Sequence, residues 1–136
     1  MVTAGLYNGT QGWVALPTDG QFDDLKVGRK TTFTSVGYGL QFTNPAITVA
    51  NKIRYKAETW LLQKDVPGFV SDFAFLLSNN ANGGGTCFGD SGGPNFIGNT
   101  NTIAGITSFG LNPACGGAGG VWRLDREDAI DWINSH

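Results

Sequence analysis

The sequence predicts an all-β protein, a small closed barrel of six short antiparallel strands followed by one terminal α-helix. Three observations carry that expectation. Glycine is abundant, with 21 among 136 residues, alongside 9 Phe, 4 Trp and 3 Tyr, a mixture that suits short strands joined by tight turns. Several runs are rich in β-branched or aromatic residues and are bounded by turn-formers. A helical period of apolar residues occurs only at the C-terminus.

Taken in order, residues 1–24 carry Asn8-Gly9, Gln11-Gly12, Pro17 and Asp19-Gly20, and read as an extended connecting segment before a domain spanning 25–136. Thr31–Tyr38 alternates as a strand should. Lys52–Leu62 and Ser71–Leu77 are the second and third strands. Ser78–Gly85 (SNNANGGG) reads as a loop. Pro94–Ile97, Thr102–Phe109 and Gly120–Leu124 complete the six. At the end, Asp125 is placed to cap a helix, Asp128 stands where a capping-box acid belongs, and Ala129, Ile130 and Ile133 share a face. No internal repeat and no second block of composition is visible.

Bulk properties narrow the function. A chain of 136 residues fits one domain on the usual scale of about 100–200 residues. With 15% charged residues and a net charge of −2, no nucleic-acid or membrane-surface partner is indicated. No run approaches the roughly 18 apolar residues of a membrane-spanning helix, and Met1–Tyr7 has neither the basic start nor the apolar core of a secretory signal. Yet Cys87 and Cys115 form an even pair in a Gly-rich, charge-poor chain, which reads as a disulfide in an exported protein. A further segment upstream would reconcile the two. No cluster has metal-ligand spacing and no phosphate loop follows a strand, so no cofactor is expected. Asn8-Gly9-Thr10 meets the glycosylation pattern, a weak signal.

The most informative run is Gly89-Asp90-Ser91-Gly92-Gly93-Pro94. It resembles the active-site serine segment of the trypsin/chymotrypsin family of serine endopeptidases. Val36-Gly37-Tyr38-Gly39 is similar to that family's Gly-aromatic-Gly strand, Ser108-Phe109-Gly110 to its Ser-aromatic-Gly strand, Gly120-Val121-Trp122-Arg123 to its Gly-Val-Tyr-x-Arg strand, and Trp132-Ile133 to its closing helix. Together these cover roughly residues 30–136, in family order.

The resemblance implies a Greek-key barrel that is half of a two-barrel fold, with 1–24 as the crossover and Leu16-Pro17 near its end. It implies that Ser91 attacks a peptide carbonyl while the N–H groups of Gly89 and Ser91 hold the oxyanion. It also implies that the Cys87–Cys115 disulfide braces the specificity pocket. In the family the catalytic histidine and aspartate precede the serine, on the first barrel. No histidine precedes Ser91, so the chain reads as the nucleophile-bearing half, cut off from its N-terminal barrel. Loss of the histidine costs about 10⁶ in turnover, so the chain alone is expected to be inactive. The family also pairs the acid before the serine, here Asp90, with a mature N-terminal amine. No Ile-Val-Gly-Gly-type start is present, so Asp90 must find another partner or its loop relaxes.

Specificity follows the same resemblance. The position that carries an aspartate in Arg/Lys-selective members is Gly85, followed by Thr86. Gly110 and Gly120 match two wall positions that leave the pocket open when glycine, and strand Ser108-Phe109-Gly110 lines it. An open, uncharged slot implies large apolar or aromatic side chains, with acidic ones a distant second.

Competing arrangements fare worse. Gly89–Gly93 also satisfies G-x-S-x-G, and Ser91, Asp125 and His136 follow the α/β-hydrolase order. That motif needs a strand entering and a helix leaving, whereas here a Gly/Asn loop enters and Pro94 leads out. His136, the only histidine, reads as an exposed terminus. Lys52, Lys56 and Lys64 read as solvated surface rather than a lysine base. Two functional readings stand: half of a secreted serine endopeptidase acting on peptide or protein substrates once its N-terminal barrel is supplied, or a non-enzymatic single-barrel module that binds peptides or proteins.

Overall fold

A computed structural model describes residues 14–44, 47–50, 52–65, 67, 72–80 and 83–136. Six strands close a barrel: β1 (Gly28–Gly37), β4 (Tyr55–Gln63), β5 (Ala74–Asn79), β6 (Pro94–Ile97), β7 (Ile103–Gly110) and β8 (Gly117–Arg123). Their order around the barrel is β1-β4-β5-β8-β7-β6, and β1 pairs with β6 to close it. Every pairing is antiparallel, and α1 (Glu127–Asn134) follows β8. The six-stranded barrel with one short terminal helix agrees with the expected fold class.

Alternation explains the interior. Along β4, Thr59 and Leu61 point inward while Glu58 and Leu62 are exposed. Phe33, Leu61, Phe75, Leu77, Ala104 and Val121 meet at the centre, joined by Phe22 from outside the barrel. Phe75 stands edge-on to Phe22 at 6.2 Å and tilted to Phe33 at 5.7 Å between ring centroids. Such aromatic pairs add about 0.5–1.5 kcal/mol beyond the burial of their area.

Phe22 enters because residues 14–25 lie against the barrel. Ala15 forms a parallel bridge to Thr102, and Gly20 N–H donates to the Asp125 carbonyl at 2.8 Å. The first part of the segment read as a connector, together with Asn8-Gly9-Thr10 and Ser71, lies outside the described residues.

Three expectations are corrected. Ser78 and Asn79 are not loop: they extend β5, pairing with Ala118 and Gly117, and Ser78 Oγ accepts the Trp60 N–H at 3.1 Å. Asp125 does not cap α1. Arg126 occupies the N-cap without a side-chain cap, and the fully buried Asp125 carboxylate instead takes two bonds from Arg123, at 2.9 and 2.8 Å, and one from Phe22 N–H at 2.8 Å. A buried charge must be paired, and that demand outweighs a cap. The third correction is a hairpin that composition did not reveal, β2 (Phe42–Asn44) with β3 (Ile47–Val49), outside the barrel.

Candidate active site

Ser91 stands exposed on a tight chain reversal between Cys87 and Gly93. Asp90 N–H donates to the Cys87 carbonyl at 3.0 Å and Gly93 N–H to the Asp90 carbonyl at 2.8 Å, so two successive turns bracket the serine. The exit is fastened to β7: Gly92 N–H donates to Thr107 O and Thr107 N–H to Gly93 O, both at 2.9 Å. Glycine is required at Gly89, whose φ is +94°, and at Gly93, where a Cβ would lie 2.5 Å from Val36 O. The N–H groups of Gly89 and Ser91 have no acceptor among the described residues. A pair of unengaged donors beside an exposed hydroxyl can receive a developing negative oxygen.

Asp90 is buried directly beneath. One carboxylate oxygen accepts the Gly39 N–H at 2.7 Å and the other accepts the Cys87 N–H at 2.8 Å. Both carboxylate oxygens thus bond to the main chain.

Beneath the turn lies a buried polar network. Ser35 Oγ donates to Asn95 Oδ1 at 2.6 Å and lies 3.3 Å from Thr59 Oγ1, and Asn95 Nδ2 donates to Thr107 Oγ1 at 3.0 Å. All four side chains are buried, and they tie β1, β4, β6 and β7 together under Gly93. Buried polar groups of this kind are tolerated when each is bonded, and they then rigidify what they support.

The Cys87–Cys115 disulfide is formed. On one of its sides lies a cleft of about 160 Å³ bordered by Thr86, Phe88, Ser91, Ser108, Phe109 and Gly110, and on the other a cavity of about 500 Å³ that reaches Gly85, Gly37, Leu40 and Asp90. Thr86, Ser108, Phe109 and Gly110 meet Ser91 around one cleft. Ser108 reaches it through a bulge: Thr107 opposes Val121 and Phe109 opposes Gly120, which leaves Ser108 as the extra residue.

Gly85 and Gly120 do not border that cleft, although the resemblance places both in the specificity pocket. The Phe109 ring lies over Gly120, where a Cβ would come within 2.2 Å of it. Gly85 is pressed against Asn79, where a Cβ would fall 1.6 Å from Oδ1. The Asn79 side chain grips the peptide of Thr86 at both ends, accepting its N–H at 2.8 Å and donating to its carbonyl at 2.7 Å. Sequence reading missed Asn79 because it lay in a run taken for loop. No local signal marks an amide seven residues from its partner.

His136 does not approach Ser91 through any bond. Its Nδ1 is 3.0 Å from Ser135 Oγ and 2.9 Å from the Trp132 carbonyl, and its exposed ring stacks on Trp132. Asp125 is engaged with Arg123, so the alternative serine–acid–histidine set is not assembled. Among the described residues no three His, Cys, Asp or Glu side chains gather as a metal site.

A model of the trypsin family matches residues 5–133. The chain belongs to the trypsin family. Solved structures agree at the level of fold. A mutant of human heparin binding protein (CAP37) is 20% identical with a TM-score of 0.68, and an alignment covers 90% of this chain and 48% of that one. HL collagenase is 22% identical with a TM-score of 0.64, covering 90% of this chain and 52% of that one. The trypsin-family chain described here thus spans about half the length of these structural relatives.

Proposed function

We propose that the chain is the nucleophile-bearing half of a secreted serine endopeptidase, completed by a barrel that supplies a histidine and an aspartate. One observation carries this reading: an exposed Ser91 hydroxyl, the unengaged N–H groups of Gly89 and Ser91, and an uncharged cleft converge on one turn. In the reaction Ser91 Oγ would bond to the scissile carbonyl carbon and lose its proton to the partner's histidine. The carbonyl oxygen would take up the negative charge opposite Gly89 and Ser91, and the peptide C–N bond would break as the histidine protonates the leaving amine. Pairing of β6 with β7 ends at Ile106, so Ser108-Phe109-Gly110 runs on beside Ser91, where an extended substrate backbone can align.

The cleft selects by size and charge. No Asp, Glu, Lys or Arg borders it, which disfavours a basic or acidic side chain. Its volume of about 160 Å³ is close to the roughly 150 Å³ cavity known to hold benzene. A ring or a large aliphatic side chain therefore fits, in a slot bordered by Phe109. Export is supported by the disulfide, and no helix among the described residues is long and apolar enough to cross a membrane. Phe88, which borders the cleft, and Tyr38 and Leu111 are exposed and offer apolar surface to the partner barrel.

A single-barrel binding module is the second reading, favoured by one observation: the only histidine is His136, engaged at the end of α1. The fold itself serves either reading, since one relative is named for binding heparin and another as a collagenase. The deciding experiment joins the chain to a trypsin-family first barrel carrying its histidine and aspartate. Hydrolysis of a peptide with Phe before the cut, abolished by Ser91→Ala, is expected. A folded complex that binds the peptide without Ser91-dependent cleavage would establish the binding module instead.

A further inference from the structure

We infer that Asn79 is a positioning residue that limits the cleft beside Ser91 to a side chain the size of one ring, by clamping the wall between that cleft and the larger cavity across the disulfide. The inference rests on the reading of the cleft as the seat of the residue before the cut, and deepens it by naming the class of side chain admitted.

Thr86, Cys87 and Cys115 border both the cleft of about 160 Å³ and the cavity of about 500 Å³, so they form the wall between the two. The disulfide fixes the cysteine end of that wall covalently. Asn79 holds the Thr86 end. Its amide meets the Thr86 peptide as one strand meets another: Oδ1 accepts the N–H at 2.8 Å and Nδ2 donates to the carbonyl at 2.7 Å. A peptide offers one donor and one acceptor, so these partners also fix which way the amide faces. Asn79 is only 4% exposed and stands at the end of β5, where it pairs with Gly117 of β8. The clamp therefore ties Thr86 to the barrel itself.

Bare backbone on both sides lets the clamp close. A Cβ on Gly85 would fall 1.6 Å from Asn79 Oδ1. A Cβ on Gly119 would come 2.7 Å from Thr86 Oγ1 and 3.3 Å from Asn79 Nδ2. Thr86 is thus gripped through its peptide while its side chain lies over Gly119. A side chain that pushes Thr86 toward the cavity breaks both bonds and leaves a buried amide unpaired, a penalty larger than the bonds' own net worth. A phenyl ring or a branched aliphatic chain avoids that penalty, and an indole incurs it.

The test titrates the full, isotope-labelled chain with N-acetylphenylalaninamide and with N-acetyltryptophanamide. Amide NMR shifts at Thr86 and Ser108 report binding, and those at Phe33 and Phe75 report the integrity of the barrel. Wild type should bind the phenyl compound at least about tenfold more tightly than the indole compound, and Asn79→Ala should reduce that preference below about threefold. Asn79→Asp keeps an acceptor but sets a carboxylate against the Thr86 carbonyl, and should reduce it likewise. A purely structural loss would weaken both compounds alike and leave their ratio unchanged. Should Asn79→Ala fail to fold, Asn79→Asp and hydrogen exchange at the wild-type Thr86 amide, expected to be protected, decide the matter. An unchanged ratio in a folded variant, or free exchange at Thr86 in wild type, overturns the inference and leaves the cleft reading in place. Failure of both compounds to shift Thr86 or Ser108 in wild type overturns the cleft reading and the inference together. Binding needs no turnover, so failure of the peptidase reading leaves this result separately legible.

Discussion

Asp23 and Asp125 both bind Arg123, yet burial gives them different consequences. Arg123 and Asp125 are sealed inside, and removing one member of such a pair strands the other at a cost of about 3–5 kcal/mol. Asp23 is half-exposed, where an ion pair contributes about 0–1 kcal/mol. Hydrogen bonding from Arg123, aided by the charges of Arg126 and Arg123, nevertheless holds the Asp23 carboxyl below its usual 3.8. A depressed pKa means the folded state resists protonation more than the unfolded one. Its contribution is therefore complete above 3.8 and lost as pH falls through the folded value. Asp23→Asn should lose less stability than wild type on acidification from pH 5 to 2.5, by under about 1 kcal/mol, measured by urea midpoints. Identical acid slopes would contradict this.

At the scale of elements, small residues decide the shape of the cleft. Strand β8 crosses under Phe109 at Gly120, and any side chain there must displace the ring. Gly120→Ala should cost about 1–3 kcal/mol by overpacking. Gly116→Ala, where a Cβ meets nothing within 4 Å, should stay within about 0.5 kcal/mol. Equal effects in chemical denaturation would contradict the placement of the ring. The strands themselves were largely legible. Pro94–Ile97 matches β6 at both ends, and Thr102–Phe109 lies within one residue of β7. Local alternation suffices where a strand is framed by turns. It failed at Ser78 and Asn79, whose polar composition reads as loop while their backbones pair with a glycine-rich strand about forty residues on. Gly37 and Gly39 were visible as a family-like pair, but nothing in the sequence says that a carboxylate 51 residues past Gly39 needs them bare. Long-range demands of this kind, like the one that takes Asp125 from its cap, leave no local mark.

As a whole molecule, the barrel closes on itself and carries Ser91 exposed at its surface. Six strands, the Asn95 network and the Cys87–Cys115 bridge hold Ser91 on a firm base, while the only histidine stacks on Trp132 at the end of α1. A serine hydroxyl without a base is a weak nucleophile. On the reading proposed above, these residues build the nucleophile and its oxyanion donors but not its activation. Fluorophosphonate labelling of the purified chain, with the adduct mapped by mass spectrometry, tests it most directly. Labelling no greater than that of Ser91→Ala is expected. Rapid modification at Ser91 would show that a base lies within these residues and would overturn that reading.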